Sequence, residues 1–253
     1  MLAAERKAKI IEFVKRTNIA TVTQLSEEFN VHEATIRRDL SEIEREGHLR
    51  RTHGGVILGE GIHSEPSFTV RATERVEEKQ RIGEKAAEMI QEGDSIILDS
   101  GTTTFQIAKY IANKTNITVV TNDINIAAEL RDSKGIKVIV TGGVLYPESF
   151  MLNGMFTNDV LKKLHVHKAF IGTPAIHPKK GLTHFEELFV PAKMEMINAA
   201  SEVIVVTDHT KLGGVSLHMV SPINKVDKLI TGEEASDTQI QQFKESGIEI
   251  IIS

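Results

Sequence analysis

Two groups of residues in this chain have the types and spacing to do chemistry. The first lies in VHEATIRRDLSEIEREG, from Val31 to Gly47, with Thr35, Arg37 and Arg38 near the start of a helical pattern. A guanidinium can fork to O6 and N7 of guanine, and a threonine can meet a thymine methyl or a phosphate. Such side chains at the N-terminal end of a helix suit the DNA major groove. The second group is a set of polar turns that each follow an apolar run: Asp99-Ser100-Gly101-Thr102-Thr103-Thr104, Thr121-Asn122, Gly142-Gly143, Gly172-Thr173 and Asp208-His209-Thr210-Lys211. In the first of these, glycine lets the backbone approach, the following helix start supplies free N–H groups, and threonine hydroxyls add donors. Together they form a cradle for phosphate. A capped turn with no ligand has the same spelling, and it is Lys211, an ammonium after a later run, that adds a second point of convergence.

The elements around the first group explain its presentation. Ile36, Leu40 and Ile43 fall at i, i+4 and i+7, so one side of that helix is apolar and the arginines lie on other faces. Before it, Ile10, Phe13 and Val14 mark a helix from about Leu2 to Arg16, stopped by Thr17-Asn18. In TVTQLSEEF, Thr21 and Gln24 have capping-box spacing, and Leu25 and Phe29 form the buried pair of a short second helix. After Gly47, HLRRTHGGV reads as a ribbon carrying Arg50, Arg51 and His53 and closed by Gly54-Gly55. Three helices and a basic ribbon spell a winged helix-turn-helix over residues 1–56. Residues 57–73 (ILGEGIHSEPSFTVRAT) lose periodicity and read as a linker, in which Phe68 and Val70 can dock on a neighbouring domain. EEKQRIGEKAAEMIQ then resumes a helix with Ile82, Ala86, Met89 and Ile90 inward, its charged remainder reading as a solvated face.

Beyond Gly93, apolar runs alternate with helical segments. Runs at 95–99, 117–121, 137–141, 168–172, 202–207, 227–231 and 248–252 read as strands, with helices near 104–113, 123–132, 158–164, 186–200 and 238–246. This is the pattern of a parallel sheet flanked by helices, and unbroken Ile/Val runs imply strands covered on both faces. Residues 74–253 thus read as an α/β domain with a mostly parallel sheet. Open sheets of this kind bind ligands outside the carboxyl ends of their strands, which is where the polar turns fall.

IRRDL followed by G-x-L-x-R-x-H-G-G resembles the DeoR-type bacterial transcriptional regulators. LDSGTTT, TVVTN, Gly142-Gly143, Gly154, AFIG, GLT at 181–183 and D-x-x-K at 208–211 resemble the effector domain of the same family, so the resemblance covers nearly the whole chain. It implies a second domain related to ribose-5-phosphate isomerase and the coenzyme A transferases and used to sense a phosphorylated sugar. Carried over by position, Gly101, Thr102, Thr103, Asn122, Gly142, Gly143 and Lys211 would line the pocket, and Asp99 and Asp208 would accept ligand hydroxyls. The chain departs from the family spelling at three places: His32 stands where serine is usual, D-S-S-K is replaced by Asp208-His209-Thr210-Lys211, and Gly232 stands where an aspartate is common. The first departure removes the common N-cap side chain of the third helix, and the other two bear on which sugar fits.

Composition is consistent with this reading without producing it. The chain of 253 residues carries 30 Lys+Arg against 35 Asp+Glu, which is acidic for a DNA binder. The first 55 residues hold 10 of those basic and 9 of those acidic side chains, so the acid excess belongs to the remainder. A near-neutral head with clustered arginines implies modest non-specific affinity rather than none. Cysteine is absent, which excludes disulfides, thiolate metal sites and cysteine nucleophiles. With no secretory h-region and no membrane-spanning run, the expectation is a cytoplasmic protein.

Blander readings apply to other residues. His165, His167, His177, His184, His209 and His218 lack the i, i+4 pairing of a helical metal site, so no metal and no cofactor are expected. His184 and His209 have the better case for meeting ligand hydroxyls. Glu186 and Glu187 suit a helix start, with Glu186 also a candidate effector contact. The function expected is a repressor of a carbohydrate or polyol operon, binding operator DNA as a dimer or tetramer and responding to a phosphorylated sugar. One alternative is a sugar-phosphate isomerase carrying a DNA module, for which Asp99, Asp208, Glu186 or Glu187 would have to act as base. The other is an architectural DNA binder with a ligand-free assembly domain, which the polar glycine turns oppose.

Overall fold

The computed structural model describes residues 2–17, 19–45, 49–52, 54–58 and 65–253, with the backbone alone described for residues 15, 16, 19, 45, 50–52, 57 and 58. The chain divides into two compact units, Met1–Ser67 and Phe68–Ser253.

The first unit contains α1 (Ala3–Thr17), β1 (Ile19–Thr21), α2 (Val22–Phe29), α3 (Glu33–Arg45), β2 (Leu49–Thr52) and β3 (Gly55–Leu58). Its core is the stripe read from the sequence: Ile36, Leu40 and Ile43 of α3 are fully buried against Ile10 and Val14 of α1 and Leu25 of α2. Thr21 and Gln24 form the expected capping box at the start of α2. His32 takes over the serine's task, because its Nδ1 accepts the Ala34 N–H at 3.2 Å, so the start of α3 is capped after all. The ribbon β2–β3 gains a third strand that the sequence hid, β1, which pairs antiparallel with β3. Gly55 permits this pairing, since a Cβ there would fall 2.2 Å from the Ala20 carbonyl oxygen. A part-buried ion pair closes the unit: Arg6 Nε and Nη2 meet the two Asp39 oxygens at 2.6 and 3.2 Å, with Asp39 only 4% exposed.

The expected linker 57–73 is partly structured. β3 runs to Leu58, residues 59–64 lie outside the described residues, and α4 (Phe68–Thr73) is a helix of the second unit. The reason is Phe68, whose buried ring meets Phe105 and Phe150 edge-on at 6.0 and 5.6 Å and fixes the segment there.

The second unit continues with α5 (Val76–Glu88), β4 (Ser95–Leu98), α6 (Thr102–Ile111), β5 (Ile117–Thr121), α7 (Ile124–Leu130), β6 (Ile136–Val140), β7 (Val144–Tyr146), β8 (Met151–Asn153), α8 (Met155–Leu161) and β9 (Val166–Ile171). It ends with β10 (Ala175–His177), β11 (Gly181–His184), α9 (Val190–Ala199), β12 (Ala200–Val206), β13 (His218–Ser221), β14 (Lys228–Thr231), α10 (Asp237–Glu245) and β15 (Glu249–Ile252). The seven strands read from the sequence form one parallel sheet in the order β15-β14-β12-β9-β4-β5-β6. Alternate residues feed opposite faces, as strand geometry requires. Ile96, Leu98, Phe170, Ile204 and Val206 pack with α5, α6 and α7, while Ile97, Ala169, Ile171, Val203 and Val205 pack with α8, α9 and α10. Two small antiparallel sheets were not expected: the hairpin β7–β8 and the sheet β10-β11-β13. α9 begins at Val190 rather than 186, after a 3-10 turn Glu187–Phe189, because Pro191 lacks an N–H and belongs in a first turn. Among the described residues, no helix is long and apolar enough to cross a membrane.

Removing one partner of the Arg6–Asp39 pair leaves the other charge part-buried and unpaired, which costs on the order of 1–3 kcal/mol. Asp39→Ala should therefore speed amide exchange throughout α1 and α3 and leave the protected strands of the α/β domain unchanged. Hydrogen exchange read by mass spectrometry on the full chain checks this.

Candidate functional site

On the head, α3 presents its polar residues as the spacing requires. Ile36 and Leu40 are buried, Arg37 and Arg38 are exposed, and Thr35 is half-buried. The two arginines differ in kind. Arg37 Nη2 meets Glu33 Oε2 at 3.0 Å, and Glu33 also accepts the Thr23 hydroxyl at 2.8 Å. That hydroxyl and Arg37 hold the Glu33 carboxyl below its ordinary range. Arg38 meets no acidic partner among the described residues, so its guanidinium is the one available to a ligand. Arg50 and Arg51 lie on β2 by their backbone, and His53 lies outside the described residues.

In the α/β domain the polar turns fall at the carboxyl ends of the strands, in two groups. The first joins the ends of β4, β5 and β9. Asp99 is fully buried, and its Oδ2 accepts the Gly172 N–H at 3.1 Å and pairs with the ammonium of Lys193. Lys193 also donates to the Gly172 carbonyl at 2.8 Å. Burial pushes the Asp99 carboxyl up, against the pull of Lys193, and Oδ1 is buried with no hydrogen-bond partner. Ser100 N–H donates to Asn122 Oδ1 at 3.2 Å, and its hydroxyl donates to Asp123 at 2.8 Å. Asn122 then reaches Leu152 of β8 through Nδ2 at 3.1 Å. The start of α6 has no side-chain cap, so the first-turn N–H groups of Thr102–Thr104 are not taken by a capping side chain. Gly101 is extended, with φ 166, and so is not needed for its backbone angle. What limits it is space, because a Cβ would lie 3.2 Å from the Thr104 hydroxyl, which itself donates to the Gly101 carbonyl.

Gly142 and Gly143 follow β6 with φ of 72 and 123, a region that favours glycine. Gly143 is also locked by contact, since a Cβ would come within 2.5 Å of Asn153 O and Thr157 Oγ1. Glu186 precedes the 3-10 turn, and its N–H is held at 3.0 Å by Nδ1 of the buried His184. That bond fixes one ring nitrogen of His184 to the backbone of the turn.

The second group lies at the ends of β12 and β14 and holds residues that the sequence left unmarked. Asp208 is buried, and its Oδ1 accepts the Thr210 N–H at 3.1 Å and the Thr210 hydroxyl. Arg75 Nε stands 3.7 Å away. Burial pushes the Asp208 carboxyl up, but Lys211, Thr210, Arg75 and Lys79 outweigh it and hold the carboxyl below its ordinary value. Lys79 and Glu78, read as part of a solvated helix face, are buried at 4% and 3% exposure. Lys79 donates to the carbonyls of Arg71 and Glu74, and burial lowers its pKa to about 8. Glu78 accepts the His209 N–H at 2.8 Å and faces its Nδ1 at 3.0 Å. Glu78, Asp208 and His209 bring ligand-type atoms within 4.8 Å of one another. Arg75, Lys79 and Lys211 already supply the countercharge at Asp208, so the group is organised as an ion-pair network. The signal that marked Asp208 and Lys211 was their position after a strand, whereas Arg75, Glu78, Lys79 and Lys193 come from helices, where position says little.

Residues 6–60 match the model of the DeoR-like helix-turn-helix domain, and residues 74–233 match that of the DeoR C-terminal sensor domain. The chain is 35% identical to the HTH-type transcriptional repressor GlcR of Bacillus subtilis, over 100% of this chain and 97% of that protein. It is 30% identical to the HTH-type transcriptional regulator GolR of Listeria innocua, over the full length of both. It is likewise 30% identical to a putative aga operon transcriptional repressor of Escherichia coli O157:H7, over 98% and 93%. These relatives are regulators rather than enzymes. Among solved structures, ribose 5-phosphate isomerase from Plasmodium falciparum aligns over 53% of this chain and 51% of its own, at 19% identity and a TM-score of 0.39.

A side chain at Gly232 would displace its neighbours: a Cβ would lie 2.2 Å from Glu234 Oε2, 2.5 Å from Glu78 Cγ and 2.6 Å from Glu78 Oε1. Gly232→Ala should push Glu78 away and release His209. The expected outcome is a loss of stability of roughly 1–3 kcal/mol, as for overpacking in a filled core, read as a lower midpoint in urea. A stability equal to that of the unaltered chain would show that Glu78 is free to move.

Proposed function

The chain belongs to the DeoR family of helix-turn-helix transcriptional regulators, and from that premise we propose that it represses a carbohydrate or polyol operon and responds to a phosphorylated sugar. The observation that carries the effector reading is the uncapped start of α6 after Ser100-Gly101, with Arg75, Lys79 and Lys211 gathered at the end of β12 in the same sheet. Free N–H groups and clustered cations are what a phosphate needs. In this reading the phosphate takes the first-turn N–H groups of Thr102, Thr103 and Thr104 and the Lys211 ammonium. Sugar hydroxyls take Asn122, Asp208 and Glu186, and Ser100, Asp99, Gly142 and Gly143 shape the wall. On the head, Arg38 with Thr35 reads bases, while Arg37 and the ribbon residues Arg50, Arg51 and His53 meet phosphates. Residues 1–56 are then the operator-reading domain and residues 74–253 the sensing and assembly domain.

A screen of phosphorylated sugars by thermal shift tests the class of ligand, because ligand at about 100 times its dissociation constant adds roughly 2.7 kcal/mol. With a hit in hand, two variants should separate the two activities. Lys211→Ala removes a charge-assisted contact worth about 1.5–3 kcal/mol, so ligand affinity should fall roughly ten- to more than a hundred-fold while operator binding persists. Arg38→Ala should do the reverse. Gel shifts with and without ligand check both, and release of Lys211→Ala protein at the unaltered ligand concentration would overturn the assignment.

The Lys79 ammonium gives the site a pH dependence. Its pKa of about 8 means that it is protonated below that pH and neutral above it. A bound phosphate favours the charged form, so affinity should be greatest below about pH 8 and weaken as pH rises through 8 to 9. Calorimetry across that window should show the decline, and Lys79→Met should bind more weakly throughout and without it.

A further inference from the structure

The α/β domain leaves six large apolar side chains more than 60% exposed: Val144, Met155, Phe156, Leu188, Leu217 and Met219. They belong to neighbouring elements. Asn153, just before α8, donates to the Leu188 carbonyl at 2.7 Å, and α9 packs against α8 on one side and β13 on the other. Single exposed hydrophobes need no explanation, but six on elements linked in series by these contacts are more than scatter. At roughly 100–150 Å² each they offer on the order of 800 Å², above the ~300–600 Å² of the largest patch on a typical monomer and about one partner's share of a standard interface. The β13 part of this patch is also poor in charge, since Leu212 to Ser221 contains no Asp, Glu, Lys or Arg. Charge depletion with exposed Met and Phe is the composition of an interface core. β13 is the free edge of its three-stranded sheet, so unpaired backbone groups border the same patch.

We propose that this face is where a second copy of the chain packs, through the β7–β8 hairpin, the start of α8, the turn before α9 and the β13 edge. The area is what a self-complementary dimer needs, and a copy of the chain rather than another protein is the occupant because one winged head touches too little DNA for specific affinity. To that extent the proposal rests on the operator-binding reading. The face also adjoins the effector candidates, because Gly142-Gly143 leads into the hairpin and Glu186 precedes the turn that carries Leu188.

Sedimentation velocity of the full chain is the test, with Phe156→Glu, Leu217→Glu and a control at the end of β6 away from the hairpin, Lys137→Glu. The unaltered chain and the control should sediment as a dimer or a multiple of it. Each patch variant should fall to a smaller species, about half the mass, with unchanged circular dichroism and operator affinity at least tenfold weaker. Leu217 is 79% exposed, so its variant folds even if Phe156→Glu does not. A monomeric unaltered chain, or an assembly that survives both folded variants, would overturn the proposal. A dimer broken by these variants but without operator affinity would leave the interface standing and remove the operator reading instead.

Discussion

The ion pair between Asp99 and Lys193 holds the strand-end turns of the α/β domain in place. Both charges are buried, the carboxylate completely, beneath the ends of the parallel strands. Taking such ions out of water costs several kcal/mol each, and a pair of this kind persists only where further hydrogen bonds complete it. Gly172 supplies them, giving its N–H to the carboxylate and its carbonyl to the ammonium. One contact thereby ties α9, on one face of the sheet, to the ends of β4 and β9. The Ser100 turn follows directly from Asp99, so its position against Asn122 and the uncapped start of α6 depends on that pair.

How much of this was legible in the sequence follows from the range over which each contact acts. The seven sheet strands announce themselves because burial on both faces demands unbroken Ile/Val runs, and alternate residues such as Ile96 and Ile97 then sort onto opposite faces. The stripe of α3 and the capping box of α2 are local and were equally plain. Strands of three or four residues, such as β7, β8 and β10, are too short to show a period. Lys193 lies 94 residues from Asp99, and nothing near it in the chain hints at a carboxylate. Glu78 and Lys79 were misread for a related reason. They occupy the charged side of an amphipathic helix, which elsewhere on α5 is exposed, yet the first turn of that helix ends over the β12 and β14 loops and buries them.

Charge distribution makes sense of the division of labour. The chain is acidic overall, yet Arg75, Lys79 and Lys211 converge on one buried carboxylate at the carboxyl end of β12. The surrounding acid excess repels DNA phosphate from the α/β domain, so contact with nucleic acid is left to the head, where basic and acidic side chains nearly balance. An anion entering the cationic group would compete with Asp208 for the same partners. Such competition changes which ion pairs hold the β12 loop, and a ligand can shift a conformational equilibrium only through differential contacts of this kind.

The departures from the family spelling are best understood through space and charge rather than position by position. His32 replaces a serine hydroxyl with an imidazole nitrogen that still receives a first-turn N–H of α3. His209 and Gly232 lie 23 positions apart, but both border Glu78. An aspartate at 232 would place its Cβ 2.6 Å from a Glu78 oxygen and a second carboxylate against a buried one. Like charges in such a place cannot both remain ionised at ordinary cost. Glycine removes the clash, and His209 gives the remaining carboxylate a donor through both its backbone and its ring. Both positions therefore act on the same buried carboxylate, which stands behind Asp208 and Lys211.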